Sequence, residues 1–112
     1  MNNLEFEQKL RSLNNLNEYI NHFELKISEG YCKQQEMQCD RLRKIVKDYK
    51  IKNIMEIGFN AGHSAELFLS LNENINVVSF DLAEHYYTEP CNIFIKYKYP
   101  NRHQLIKGNS LL

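Results

Sequence analysis

The sequence predicts an α/β fold, half of a doubly wound parallel sheet preceded by N-terminal helices. Three observations carry this. Short apolar runs at residues 54–57 and 76–81 have the length and composition of buried parallel strands, and residues 103–107 read as a third strand. Helix-like segments alternate with them, the order that parallel pairing through crossovers requires. Between the first run and the next helix lies Glu56-Ile57-Gly58-Phe59-Asn60-Ala61-Gly62-His63-Ser64, with both glycines where a strand must turn sharply.

Taken in order, residues 4–20 place Phe6, Leu10, Leu13, Leu16 and Ile20 at helical spacing. The asparagines between Asn14 and Asn21 lower helix propensity, so a break is expected there. Phe23, Leu25 and Ile27 alternate with Glu24 and Lys26, an extended pattern stopped by Ser28-Glu29-Gly30. Residues 1–29 thus form an appendage that either covers a face of the core or mediates self-association. Residues 30–112 form the main, partial domain.

From about Gln34 to Tyr49, Leu42, Ile45, Val46 and Tyr49 form one apolar stripe, extended backwards by Met37 or Cys39, and predict a surface helix docked on apolar structure. Ile54-Met55-Glu56-Ile57 is the first strand, Ala61 to Leu71 a helix, and Asn76 to Asp81 the second strand. Pro90 and Pro100 bound a crossover helix at about 89–98, although alternation at Ile93, Ile95 and Tyr97 also fits a strand. His103 to Lys107 is the third strand, stopped by Gly108-Asn109-Ser110.

A chain of 112 residues suits one domain. Its zero formal net charge gives no bulk attraction to nucleic acid or membrane, and no nucleic-acid partner is expected. Lys33, Arg41, Arg43, Lys44, Lys47, Lys50 and Lys52 outnumber Glu36, Asp40 and Asp48 locally, either as a solvated helix face or as a phosphate contact. The N-terminus lacks a signal-peptide pattern, no run is long enough for a membrane helix, and the chain reads as cytoplasmic. Cys32, Cys39 and Cys91 fit no compact zinc pattern and read as free thiols, so no metal is expected.

The chemistry concentrates at the strand ends. Gly58 and Gly62 let the main chain pass close to a ligand, and the helix start around Gly62, His63 and Ser64 offers N–H groups to a carboxylate or phosphate. A dinucleotide fingerprint would need glycine at position 60, where the chain has Asn60, and a P-loop would need lysine at His63. A nucleoside with an amino-acid tail is the better match. Asp81 can accept hydrogen bonds from a ribose diol, or act as a cap or loop acid. Glu56 interrupts an apolar strand, so its carboxylate must meet a cofactor amine or a structural hydrogen bond. His63 and His85 are either catalytic or loop residues.

Ile54 to Ser64 resembles the first motif of class I S-adenosylmethionine-dependent methyltransferases, particularly the O-methyltransferase-like group written E-x-G-x-x-x-G-x-S. Ser79-Phe80-Asp81 resembles the second motif, and Leu105 to Ser110 the third-strand motif. The resemblance covers about residues 30–112. It implies S-adenosyl-L-methionine as cofactor, with Gly58, Asn60 and Gly62 under its methionine part and Ser64 and nearby N–H groups at its carboxylate. It places Glu56 at the amino-acid end, Asp81 at the ribose, and Asn109 and Ser110 beside the adenine. Asn109 departs from the aspartate common there.

Family members continue through a fourth strand that borders the transferring methyl, whereas this sequence stops at Leu112, just past the third motif. The resemblance therefore extends to an N-terminal, cofactor-binding half, and no residue offers itself as catalytic base. If completed, the domain would methylate oxygen or nitrogen of a small-molecule acceptor. Alone, it would have weak or no activity and an apolar sheet face needing a cover: a homo-oligomer, a completing protein partner or the N-terminal segment. The competing expectation is a non-catalytic interaction protein. Nucleotide binding in another α/β class is disfavoured by the glycine spacing.

Overall fold

The computed structural model describes residues 2–27 and 36–108. Two N-terminal helices, α1 (Asn3–Ser12) and α2 (Leu16–His22), precede α3 (Glu36–Asp48). Then β1 (Asn53–Ile57), α4 (His63–Leu71), β2 (Asn76–Asp81), α5 (Thr88–Lys98) and β3 (His103–Lys107) alternate. The sheet is three-stranded, parallel throughout and ordered β1-β2-β3. This is the half-Rossmann arrangement expected from the sequence.

The expected N-terminal break falls at residues 13–15, because asparagines start helices better than they continue them. The Asn2 side chain accepts the Glu5 N–H at 2.8 Å, and that of Asn15 accepts the Glu18 N–H at 2.9 Å. Residues 23–27 do not form a strand. Phe23 and Glu24 close α2 as a turn, with Glu24 at φ 54°, and the alternation survives only as half-burial of Phe23, Leu25 and Ile27 against the core. The stop at Ser28-Glu29-Gly30 lies outside the described residues, as does Cys32, while Cys39 and Cys91 are buried free thiols.

Helical rather than alternating periodicity governs residues 88–98. Cys91, Phe94 and Ile95 are wholly buried while Ile93 points outward, and Pro90 stands in the first turn, where its missing N–H costs nothing. Leu10, Leu13, Leu16, Tyr19 and Ile20 share one core with α4, α5 and the covered face of the sheet. Tyr19 packs against Phe94 with ring centroids 4.9 Å apart and its hydroxyl donates to the Pro90 carbonyl at 2.8 Å. The Leu16 N–H donates to Glu66 Oε2 at 2.6 Å, and Lys98 Nζ donates to the Leu13 carbonyl at 3.1 Å. The first two helices therefore cover α4 and α5.

The α3 stripe is only partly docked. Cys39 and Val46 are buried, whereas Leu42, Ile45 and Tyr49 stay exposed, Tyr49 at 77 %. Strand register explains a second exposed apolar surface. Ile54, Glu56, Val77, Ser79, His103 and Leu105 share the helix-covered face, while Met55, Ile57, Val78, Phe80 and Ile106 share the other. Met55 and Ile57 are 67 % and 71 % exposed, and β1 pairs with β2 alone among the described strands. No helix among the described residues is long and apolar enough to cross a membrane.

Candidate cofactor site at the strand ends

Parallel strands bring the loops after β1 and β2 and the end of β3 to one edge, the customary ligand edge of open α/β sheets. The Gly58 N–H donates to the Phe80 carbonyl at 2.6 Å, and the Gly108 N–H donates to the Asp81 carbonyl at 2.8 Å. The three strand ends are thus fastened through β2.

The turn between β1 and α4 contains three residues with positive φ: Gly58 at 94°, Asn60 at 55° and Gly62 at 97°. The two glycines are required for different reasons. A Cβ on Gly58 would meet nothing within 4 Å, so its backbone borders open space and only its dihedral demands glycine. A Cβ on Gly62 would lie 2.7 Å from Phe59 Cζ and 3.2 Å from Ile95 Cγ1, so Gly62 is packed against the protein's own core. As N-cap of α4, Gly62 supplies no side-chain hydrogen bond. The first-turn amides at His63 and Ser64 thus meet no capping side chain from that position.

Asp81 organises the loops on either side of it. Its Oδ2 accepts the Asn60 N–H at 2.7 Å and its Oδ1 accepts the Ala83 N–H at 2.6 Å. Each carboxylate oxygen retains further acceptor capacity. The Asn60 side-chain oxygen accepts a short hydrogen bond from the Tyr87 hydroxyl, and Tyr87 stacks on His85 with ring centroids 5.0 Å apart.

Glu56 lies on the covered face below the turn, where Oε1 accepts the Ser79 hydroxyl at 2.6 Å. Burial pushes its carboxyl up to about 7; the Ser79 hydrogen bond opposes that rise and the charge of Asp81 adds to it. His63 faces Asn17 of α2, Nε2 to Oδ1 at 3.1 Å, and burial holds it below the usual histidine range. Gly58, Asn60, Gly62, His63, Ser64 and Asp81 therefore belong to one strand-end region with Glu56 directly beneath. Asn109 and Ser110 lie outside the described residues. Among the described residues no group of three or more His, Cys, Asp or Glu side chains is placed to hold a metal ion.

No family model matches this chain, and no curated protein matches it either. Solved structures do. One, a Staphylococcus aureus protein provisionally assigned as a caffeoyl-CoA O-methyltransferase, is 21 % identical, with a TM-score of 0.61 over 96 % of this chain and 50 % of that one. Another, the Podospora anserina methyltransferase PaMTH1 solved with S-adenosylhomocysteine bound, is 18 % identical, with a TM-score of 0.62 over 98 % of this chain and 52 % of that one. The fold is methyltransferase-like. At these identities the likeness extends to architecture alone, and this chain spans about half the length of the two structures.

Some residues of the methyltransferase-like half-sheet carried no site reading in the sequence. Tyr87 reaches Asn60, Asn17 reaches His63 and the Ala83 N–H reaches Asp81, through loop and helix placement that no local pattern encodes. Ser79 and His103 offered a signal that parity makes readable: polar side chains at inward positions of apolar strands, on the same face as Glu56.

Proposed function

We propose that this chain is the cofactor-binding half of an S-adenosylmethionine-dependent methyltransferase domain acting on a small-molecule oxygen or nitrogen. One observation carries the proposal: the open backbone at Gly58 and the carboxylate of Asp81 are joined at one strand-end edge through Asn60. The residues fit the cofactor chemically. Glu56 would take its ammonium group, the α4 N-terminus around His63 and Ser64 its carboxylate, and Asp81 its ribose hydroxyls, with Asn109 and Ser110 at the adenine. The sulfonium of that cofactor supplies an electrophilic methyl group for in-line displacement by an acceptor lone pair.

The half-sheet supplies binding rather than acceptor positioning. No residue of the sequence offers itself as a base for an acceptor, so turnover is assigned to the completed domain. Calorimetric titration of the folded chain with S-adenosylhomocysteine tests the reading. Saturable binding that Asp81→Ala weakens at least about tenfold, equivalent to ~1.4 kcal/mol, is expected. No saturable signal from the folded protein overturns it.

A second reading is favoured by the bare sheet face at Met55 and Ile57 and the exposed stripe at Leu42, Ile45 and Tyr49. In that reading the half-sheet is a docking unit, held by a second copy or a completing protein and free of any catalytic task. Light scattering across a concentration series tests it, and a stable monodisperse monomer counts against it.

A further inference from the structure

Glu56 on β1, Ser79 on β2 and His103 on β3 form a hydrogen-bonded row beneath the candidate site. Ser79 Oγ lies 2.6 Å from Glu56 Oε1 and 2.9 Å from His103 Nε2. Ser79 is completely buried and His103 nearly so. The residue types match those of a nucleophilic triad, but the order does not. In such a triad histidine stands between serine and acid. Here serine stands between acid and histidine, and its hydroxyl has no access to a substrate.

Proton counting assigns the row a different task. When Glu56 is ionised, above its raised midpoint, the one hydroxyl proton of Ser79 is donated to its carboxylate. The Ser79 oxygen must then accept from His103, which fixes that imidazole as the Nε2–H tautomer. Nδ1 becomes a buried acceptor, and it has no hydrogen-bond partner among the described residues. Leaving that atom unpaired is a cost the core carries at this position. The ring of His103 also packs on Phe59, centroids 5.1 Å apart, and Phe59 fills the space that a side chain at position 62 would need. The row is thereby keyed to the glycine turn.

We propose that Ser79 and His103 are positioning residues for Glu56: Ser79 engages Oε1 from within the sheet, His103 holds the Ser79 hydroxyl in that direction, and the pair so presents Oε2 to the ammonium group of a ligand at the end of β1. This rests on the cofactor reading above. Oε2 has no partner among the described residues, in keeping with that role. Beyond Ser79, the charged group that acts on Glu56 is Asp81 of β2, and the one that acts on His103 is Lys96 of α5.

The test begins with the unliganded protein. At a pH above the Glu56 midpoint, nitrogen-15 NMR of the His103 imidazole is expected to show the Nε2–H tautomer. Carbon-13 NMR of the Glu56 carboxyl is expected to show its titration midpoint moving upward in Ser79→Ala, because the hydroxyl that favours the charged form is gone. An Nδ1–H tautomer, or an unmoved midpoint, overturns the proposal whatever the ligand does. S-adenosylhomocysteine titrations follow. Ser79→Ala and His103→Leu should each weaken binding by up to about tenfold, while Ser79→Thr and His103→Gln, which keep the hydroxyl and an N–H donor, recover most of it. Equal losses in the conservative and non-conservative variants also overturn the positioning role. Absence of binding by the wild-type chain overturns the cofactor reading and with it the ammonium assignment, while the two NMR readouts judge the hydrogen-bonded row by itself.

Discussion

Asp81 Oδ2 accepts the backbone N–H of Asn60 at 2.7 Å, so the end of β2 holds the turn that follows β1. The same carboxylate accepts the Ala83 N–H through its other oxygen. Both segments that border the candidate site therefore hang on one side chain, and both contain a non-glycine residue at positive φ, Asn60 and Ala83. A residue fit to contact a ligand is here also the residue that shapes the loops around it.

Asp81→Ala removes the acceptor from two backbone amides. The expected destabilisation is about 1–3 kcal/mol, and Asp81→Asn, which keeps one acceptor oxygen, should lose less. Urea unfolding of both variants checks the order. If stability is unaffected in Asp81→Ala, the two hydrogen bonds are not holding the loops.

The two turn glycines should respond unequally to alanine. Gly58→Ala meets only the left-handed backbone penalty, about 1–2 kcal/mol. Gly62→Ala incurs that penalty and also drives a methyl into Phe59, 2.7 Å away, which adds about 1–3 kcal/mol of overpacking. Thermal unfolding should rank wild type above Gly58→Ala above Gly62→Ala. A reversed order would mean that Phe59 moves aside freely.

Glu56 and His103 give opposite pH dependences. The Glu56 carboxyl is raised from 4.5 to about 7, so the folded state binds more protons in that window and stability falls as pH rises through it. Burial, aided by Lys96, lowers His103 from 6.5 to about 4, so stability rises with pH through that window. The two slopes oppose each other where the windows overlap. Glu56→Gln should therefore expose a stability that climbs from pH 4 to 6.5, and His103→Leu one that declines from pH 4.5 to 7. Each full swing is of the order of 3 kcal/mol before solvent screening reduces it. Denaturation midpoints at several pH values check both signs.

Much of this was legible in the sequence because the relevant signals are local. The runs ending at Ile57, Asp81 and Lys107 gave the strands, and the asparagines between Asn14 and Asn21 signalled a break, which falls at the start of that stretch, between α1 and α2. Gly58, Gly62 and Asp81 stood out because strand-end turns restrict residue type. Other features depend on what meets what across the fold. The stripe from Leu42 to Tyr49 has the spacing of a buried face, yet spacing cannot say how much structure lies against it. Likewise Phe23, Leu25 and Ile27 alternate in burial without pairing, since a half-buried coil beside α2 imposes the same parity as a strand. The link from Glu56 through Ser79 to His103 needed the register of all three strands.

The bare face of the sheet supplies the last prediction. Met55 and Ile57 point away from α4 and α5, and the outer side of β1 has no strand beside it among the described residues. Contiguous apolar surface of this kind drives association, and an open parallel edge offers backbone hydrogen bonds to an incoming strand. Met55→Lys with Ile57→Lys places two charges on that face without touching the covered row of Ile54 and Glu56. The double variant should shift sedimentation or light scattering toward monomer while leaving the midpoint of unfolding within about 0.5 kcal/mol per site, as exposed substitutions ordinarily do. Unchanged association would move the interface to the α3 stripe, where Leu42→Glu and Tyr49→Glu should then disrupt it. A loss of stability instead of association would mean that the face is already covered within the folded chain.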